Sequence, residues 1–209
     1  MIRIIIAYDD NDAELGDYFD DSFKDFNNNL SINTNTSTIA IRGLECSQTN
    51  IKAIIPLNVP YIFIGLSHGN EHQLLTENDV YADSNDVLHF KNSLFYSPSC
   101  STALELGKRL IEAECVCFIG CARDTLATYE DFYHLYIDCE NYCIREFVNS
   151  TKTIETTYDE MLKYFDSKID ELFEQGDNEI LVAMELQHNK DSFVLEGNKK
   201  LTIKYYDLK

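Results

Sequence analysis

Apolar residues along this chain fall into short unbroken runs that alternate with segments of helical spacing. Residues 2–7 form an apolar run, interrupted only at Arg3 and closed by Tyr8-Asp9-Asp10, the pattern of a strand buried on both faces. Leu15, Tyr18, Phe19, Phe23 and Phe26 then recur at helical spacing, predicting a helix over 12–26 that Asn27-Asn28-Asn29 ends. Residues 37–41 alternate as a second strand. A short helix is expected over 47–55, and Pro56 and Pro60 punctuate the approach to a third strand at 61–66. The fourth strand is 92–96. A helix over 101–113 carries Ala103, Leu104, Gly107, Leu110 and Ile111 on one face, and 115–119 is a fifth strand.

The remaining third is helix-rich. A helix is expected over 138–148, and a longer one over 158–173, where Tyr158, Met161, Leu162, Phe165, Ile169, Leu172 and Phe173 make one stripe. Gly176-Asp177-Asn178 stops it. Residues 180–186 suit either a strand or the end of a helix. The closing SFVLEGNKKLTIKYY segment reads as two short strands about Gly197-Asn198. Strands alternating with helical segments imply an α/β fold, a mostly parallel sheet with helices on both faces. The polar, acidic stretch at 75–90 is read as a mobile loop at the rim of a site.

Composition narrows the function classes. At 209 residues, with 44% hydrophobic residues, the chain suits one globular domain spanning 1–209. A net charge of −19 argues against a nucleic-acid surface, which needs clustered Lys and Arg, and against an anionic membrane surface. MIRIIIAYDDND has neither the basic start nor the long apolar core of a secretion signal, and no stretch reaches the roughly 18 apolar residues of a membrane span. Seven cysteines, an odd number in a chain too large to need stapling, read as reduced thiols in a cytoplasm.

The candidate chemistry sits at two strand ends. YIFIGLSHG ends on His68-Gly69, and NSLFYSPSCS ends on Ser99-Cys100-Ser101. In open α/β sheets functional groups collect where the carboxyl ends of strands meet loops. A thiol nucleophile needs an imidazole beside it to take its proton and stabilise the anion. Cys100 is the candidate nucleophile, helped by its small neighbours Ser97, Ser99 and Ser101 and by the amino terminus of the helix expected next. His68 is the candidate general base and then general acid. Gly69, without a Cβ, lets a substrate backbone approach and offers its N–H to an oxyanion. His72 and His89 are weaker rivals because neither follows an apolar strand directly.

The order strand–His-Gly, loop, strand–Ser-Cys, helix resembles the caspase-like (clan CD) cysteine peptidases, closest to the bacterial gingipain-like and CHAT-type branches. ECVCFIGCARD is similar to the strand after the catalytic helix in those proteins, with Gly120-Cys121 as the small pair that shapes the groove. FVLEGNKKLTI is similar to their closing Phe-x-Leu-x-Gly-Asp-Pro-x-Leu pattern, with Asn198 and Lys199 in place of Asp and Pro. The resemblance implies a caspase-like three-layer fold and a His68–Cys100 dyad cleaving a protein or peptide substrate. It implies an oxyanion hole from the N–H groups of Gly69 and Cys100, no third catalytic residue and no cofactor or metal. It also implies bacterial effector proteases in defence systems, switched on by a partner sensor protein. A side-chain pocket at the ends of the first, fourth and fifth strands would offer Asp9, Asp10 and Asp124, and so favour Arg or Lys. Asp9 and Asp10 equally suit capping of the following helix.

Other readings compete. A non-catalytic caspase-like scaffold would keep the fold but has no need of the His68–Cys100 pair. Cys115, Cys117, Cys121, Cys139 and Cys143 could in principle hold a structural zinc, yet none of their spacings is a CxxC knuckle, and core packing is the preferred reading. None of the eight glycines forms a phosphate-binding loop, which disfavours a nucleotide-binding domain.

Overall fold

A computed structural model describes residues 1–30, 35–56, 58–176 and 179–207. Six strands form the central sheet: β1 (Ile2–Tyr8), β2 (Thr36–Arg42), β3 (Tyr61–Leu66), β7 (Ser93–Tyr96), β8 (Cys117–Cys121) and β9 (Phe193–Gly197), in the order β2-β1-β3-β7-β8-β9. All neighbours run parallel except β9, which lies antiparallel to β8. The fold is therefore α/β with a mostly parallel sheet. Helices α1 (Gly16–Leu30), α4 (Tyr133–Asn149), α5 (Ile154–Gln175) and α6 (Glu179–Ser192) cover the face presenting Ile2, Ile4, Ile6 and Tyr8. The short helices α2 (Gln48–Ile54) and α3 (Leu106–Glu112) cover the face presenting Ile5, Ala7, Phe63 and Phe95. Burial on both faces is why β3 reads as an unbroken apolar run and β1 as one broken only at the half-buried Arg3: every residue of β3 is buried.

Several expectations need correction. Helix α1 runs through Asn27-Asn28-Asn29 to Leu30, because Phe26 and Leu30, four apart, both go fully into the core and outweigh the poor helix propensity of Asn. The 75–90 stretch is not one loop. β4 (His68–Gly69), β5 (Gln73–Leu75) and β6 (Val80–Asp83) form a small antiparallel sheet, pinned by the buried side chains of Leu74, Tyr81 and Ala82. Strand β8 begins two residues later than expected, so Gly120-Cys121 lies inside it.

Residues 180–186 are helical, as part of α6. The closing segment is not a hairpin. At the end of β9, Gly197 takes φ +91 and the chain turns, after which Leu201, Ile203 and Tyr206 pack into the core. There Leu201 accepts from the Ile154 N–H and Thr202 bridges Thr153 at the start of α5. Of the expected helix stop, Gly176 ends α5 with φ +141, and Asp177 and Asn178 lie outside the described residues.

Candidate active site

The sheet order places the carboxyl ends of β1, β3, β7 and β8 side by side. Chain leaves β1 for β2 on one side, while β3 lies on the other, which makes the β1/β3 boundary a switch point where crevices open in such sheets. Register pairs Tyr8 with Leu66, so the residues just past each strand meet. His68 and Cys100 line one cavity there, walled by Leu15, Phe19 and Leu126 with Glu140. Its empty volume is about 510 Å³, part of it open to solvent.

Serine hydroxyls lock the two strand ends together. The Ser99 hydroxyl donates to the Ser67 carbonyl at 2.7 Å, and the Ser97 hydroxyl lies 2.8 Å from both the Gly65 carbonyl and the Ser99 hydroxyl. Ser97 and Ser99 are thus more than small neighbours of a cysteine; they tie β7 to β3. Gly69 packs so tightly here that a Cβ would lie 2.7 Å from the Ser99 Cβ and 2.9 Å from the Cys100 carbonyl oxygen. Only glycine fits between these two segments.

Cys100 is half-buried and accepts from the Thr125 N–H, with Sγ at 3.3 Å. It does not start a helix. Residues 101–105 are turns and α3 begins at Leu106, because the Ser101 and Ala103 N–H groups bond to Arg123 and Cys121 in the segment from β8 onward. Ser101 sits in the left-handed region at φ +57, and its hydroxyl donates to Asp124 at 2.9 Å. A strained residue held by flanking bonds beside a reactive one is a recurrent feature of functional loops. With α3 starting only at Leu106, no helix amino terminus follows Cys100 directly to stabilise its thiolate.

His68 carries a partner that sequence reasoning missed. Its Nε2 lies 3.1 Å from the Asp12 Oδ2, the imidazole 40% exposed and the carboxylate 8% exposed. Burial alone would raise the Asp12 pKa, but N–H groups of Leu15 and Glu14, then His68, outweigh it and hold the carboxyl below its ordinary value. Phe19 meets the His68 ring edge-on at 5.8 Å.

The proposed pocket acids lie elsewhere. Asp9 is buried with its carboxylate accepting from Asn11 and Glu77 N–H groups, so it does not cap α1 either; Asp12, accepting from Glu14 and Leu15, stands at that entrance. Asp10 faces Arg42 at 3.7 Å, and Asp124 faces Ser101. None of the three lines the cavity; the carboxyl that does is Glu140. The rival histidines sit apart from Cys100: His72 bonds Ser84, and His89 lies tilted against Phe90, its pKa pushed down to about 4 chiefly by burial. Cys115, Cys117, Cys121, Cys139 and Cys143 are buried thiols whose pKa values burial pushes up. Among the described residues, no three His, Cys, Asp or Glu side chains are grouped to hold a metal ion. No described helix is long and apolar enough to cross a membrane.

No family model matches the sequence, and no curated protein matches it.

Proposed function

We propose that the chain is a cysteine endopeptidase of caspase-like architecture, with Cys100 as nucleophile and His68 as its acid–base partner. The observation that carries the reading is the joint placement of His68 and Cys100 on one cavity at neighbouring ends of parallel strands. The match to the strand–His-Gly, strand–Ser-Cys order supports the caspase-like assignment.

In this mechanism the Asp12 carboxylate accepts from Nε2–H, which leaves the lone pair of the neutral imidazole on Nδ1. Nδ1 takes the Cys100 proton as sulfur attacks the scissile carbonyl, forming a C–S bond. Backbone N–H groups of Gly69 and Cys100 hold the oxyanion. Collapse breaks the C–N bond while His68 returns the proton to the leaving amine. Water then adds to the thioester and gives a proton to His68; collapse breaks the C–S bond, His68 returns that proton to the departing thiolate, and the acid product leaves. The Thr125 N–H aimed at sulfur is the kind of donor a thiolate accepts. Asp12 here orients His68 and does not touch substrate.

Digestion of a denatured protein mixture followed by mass-spectrometric sequencing of the new termini tests the proposal. Cleavage is expected with the wild-type chain and lost with both Cys100→Ala and His68→Ala. Wild-type cleavage that survives in Cys100→Ala would contradict it.

A further inference from the structure

We infer that His188 is a positioning residue for Cys100: it holds the carbonyl end of the Asp124–Thr125 peptide group, whose N–H end serves the sulfur. Its bearing on catalysis rests on reading Cys100 as the nucleophile; its effect on the thiol does not.

The segment from Asp124 to Tyr129, after β8, has no regular secondary structure, so no ladder satisfies its N–H and C=O groups. The last turns of α6 supply partners. Nε2 of the half-buried His188 lies 2.8 Å from the Asp124 carbonyl oxygen. That oxygen can only accept, so Nε2 carries the proton and donates. Asn189, fully buried, grips Leu126 on the other side of Thr125. Its amide donates to the Leu126 carbonyl at 2.7 Å, and its Oδ1 accepts from the Leu126 N–H at 2.8 Å. The Ser192 carbonyl accepts from the Ala122 N–H at 2.8 Å. The Thr125 hydroxyl donates to the Pro98 carbonyl at 3.2 Å. Thr125 is thereby fixed on both flanks, with its N–H 3.3 Å from the Cys100 sulfur. This use also accounts for the buried polar residues Asn189 and Ser192 near the end of α6.

The Asp124 carbonyl and the Thr125 N–H belong to one planar amide. A donor on the oxygen draws electron density from the nitrogen and makes the N–H a stronger donor, as in chains of hydrogen bonds. A thiolate gains more from such a bond than a thiol does, so a stronger and better-aimed N–H favours ionised Cys100. The Thr125 hydroxyl and carbonyl lie farther from the sulfur, at 3.7 and 3.8 Å. The Asp124 carboxylate is engaged by the Ser101 hydroxyl. Neutral and protonated imidazole both present Nε2–H to the carbonyl, so the relay does not require His188 to titrate.

The test is the pH profile of Cys100 alkylation by iodoacetamide in the full chain, followed by intact mass and peptide mapping; the other cysteines are buried. His188→Ala is expected to slow alkylation about threefold at neutral pH and to converge on the wild-type rate at high pH, where the thiol is fully ionised in either protein. His188→Gln, whose side-chain amide donates from nearly the position of Nε2, should restore most of the loss. A residue serving stability alone would change the melting temperature and leave the profile unmoved. An unmoved profile in His188→Ala, an equal slowing at every pH, or a Gln variant as slow as the Ala variant would overturn the proposal. A Cys100 indifferent to His68→Ala would sink the peptidase reading alone, with the His188 effect still read from the same profiles.

Discussion

The Asp12 carboxylate lies 3.1 Å from Nε2 of His68, joining the loop after β1 to β4, just past the end of β3. The same carboxylate accepts from the N–H groups of Glu14 and Leu15, which fixes it at the entrance to α1. A residue so anchored can hold an imidazole in one orientation and one tautomer.

Asp12→Ala is accordingly expected to slow the reaction of Cys100 with an electrophilic peptide on the order of tenfold or more, since acid–base assistance contributes roughly 10²–10⁴-fold when correctly oriented. It also costs about 1 kcal/mol of stability through the lost cap. Asp12→Ser keeps a capping oxygen but cannot reach His68. It should recover the melting temperature without recovering the rate, which a purely structural role for Asp12 would not produce.

Gly69→Ala tests the seam between β3 and β7. An added methyl has no space against Ser99 and the Cys100 carbonyl, so either strand end must shift. Thermal unfolding should show a loss of roughly 1–3 kcal/mol. Modification of Cys100 by peptide electrophiles should fall further than that by iodoacetamide. An unchanged melting temperature would show that the seam is looser than described.

Ser99→Ala removes the hydroxyl that bonds the buried Ser67 carbonyl at 2.7 Å. Leaving that carbonyl unsatisfied should cost about 1–3 kcal/mol by chemical denaturation. A change within a few tenths of a kcal/mol would mean that water replaces the hydroxyl without penalty.

Glu140 makes stability depend on pH. Its folded pKa, raised to about 8 from 4.5, means the folded chain keeps a proton that the unfolded chain surrenders. Stability from this group is greatest below the unfolded value and falls as pH rises through that window. Glu140→Gln carries no such loss. Its melting temperature should match wild type near pH 5 and exceed it by several degrees near pH 8.5, about 1.4 kcal/mol accruing per unit of pH. Parallel pH profiles for the two proteins would refute the assignment.

The central strands were legible because they are buried on both faces. The run at Tyr61–Leu66 has no polar position to obscure it, and the stripe from Met161 to Leu172 lies on one buried face of α5. α6 was ambiguous because its pattern is mixed: Asn189 is buried while Leu181 and Met184 are exposed. His68 and Cys100 stood out as reactive residues at the ends of apolar runs. Asp12 and Glu140 did not, since their roles arise only from parallel pairing of Tyr8 with Leu66 and from α4 packing against α1. In the sequence each is one acid among 36 Asp and Glu residues. The loop after Cys100 misled for a related reason: its helical spacing from Ala103 to Ile111 is real, but its first N–H groups are committed across the sheet to Cys121 and Arg123.

Activation of Cys100 by His68 can be read from intact-mass measurement of labelling by peptidyl acyloxymethyl ketones carrying Lys, Arg or Asp. One adduct is expected on wild type, formed faster with Lys or Arg than with Asp, absent in Cys100→Ala and slowed about 100-fold or more in His68→Ala. Labelling of Cys100 at the same rate with and without His68, no faster than an ordinary thiol, would contradict it.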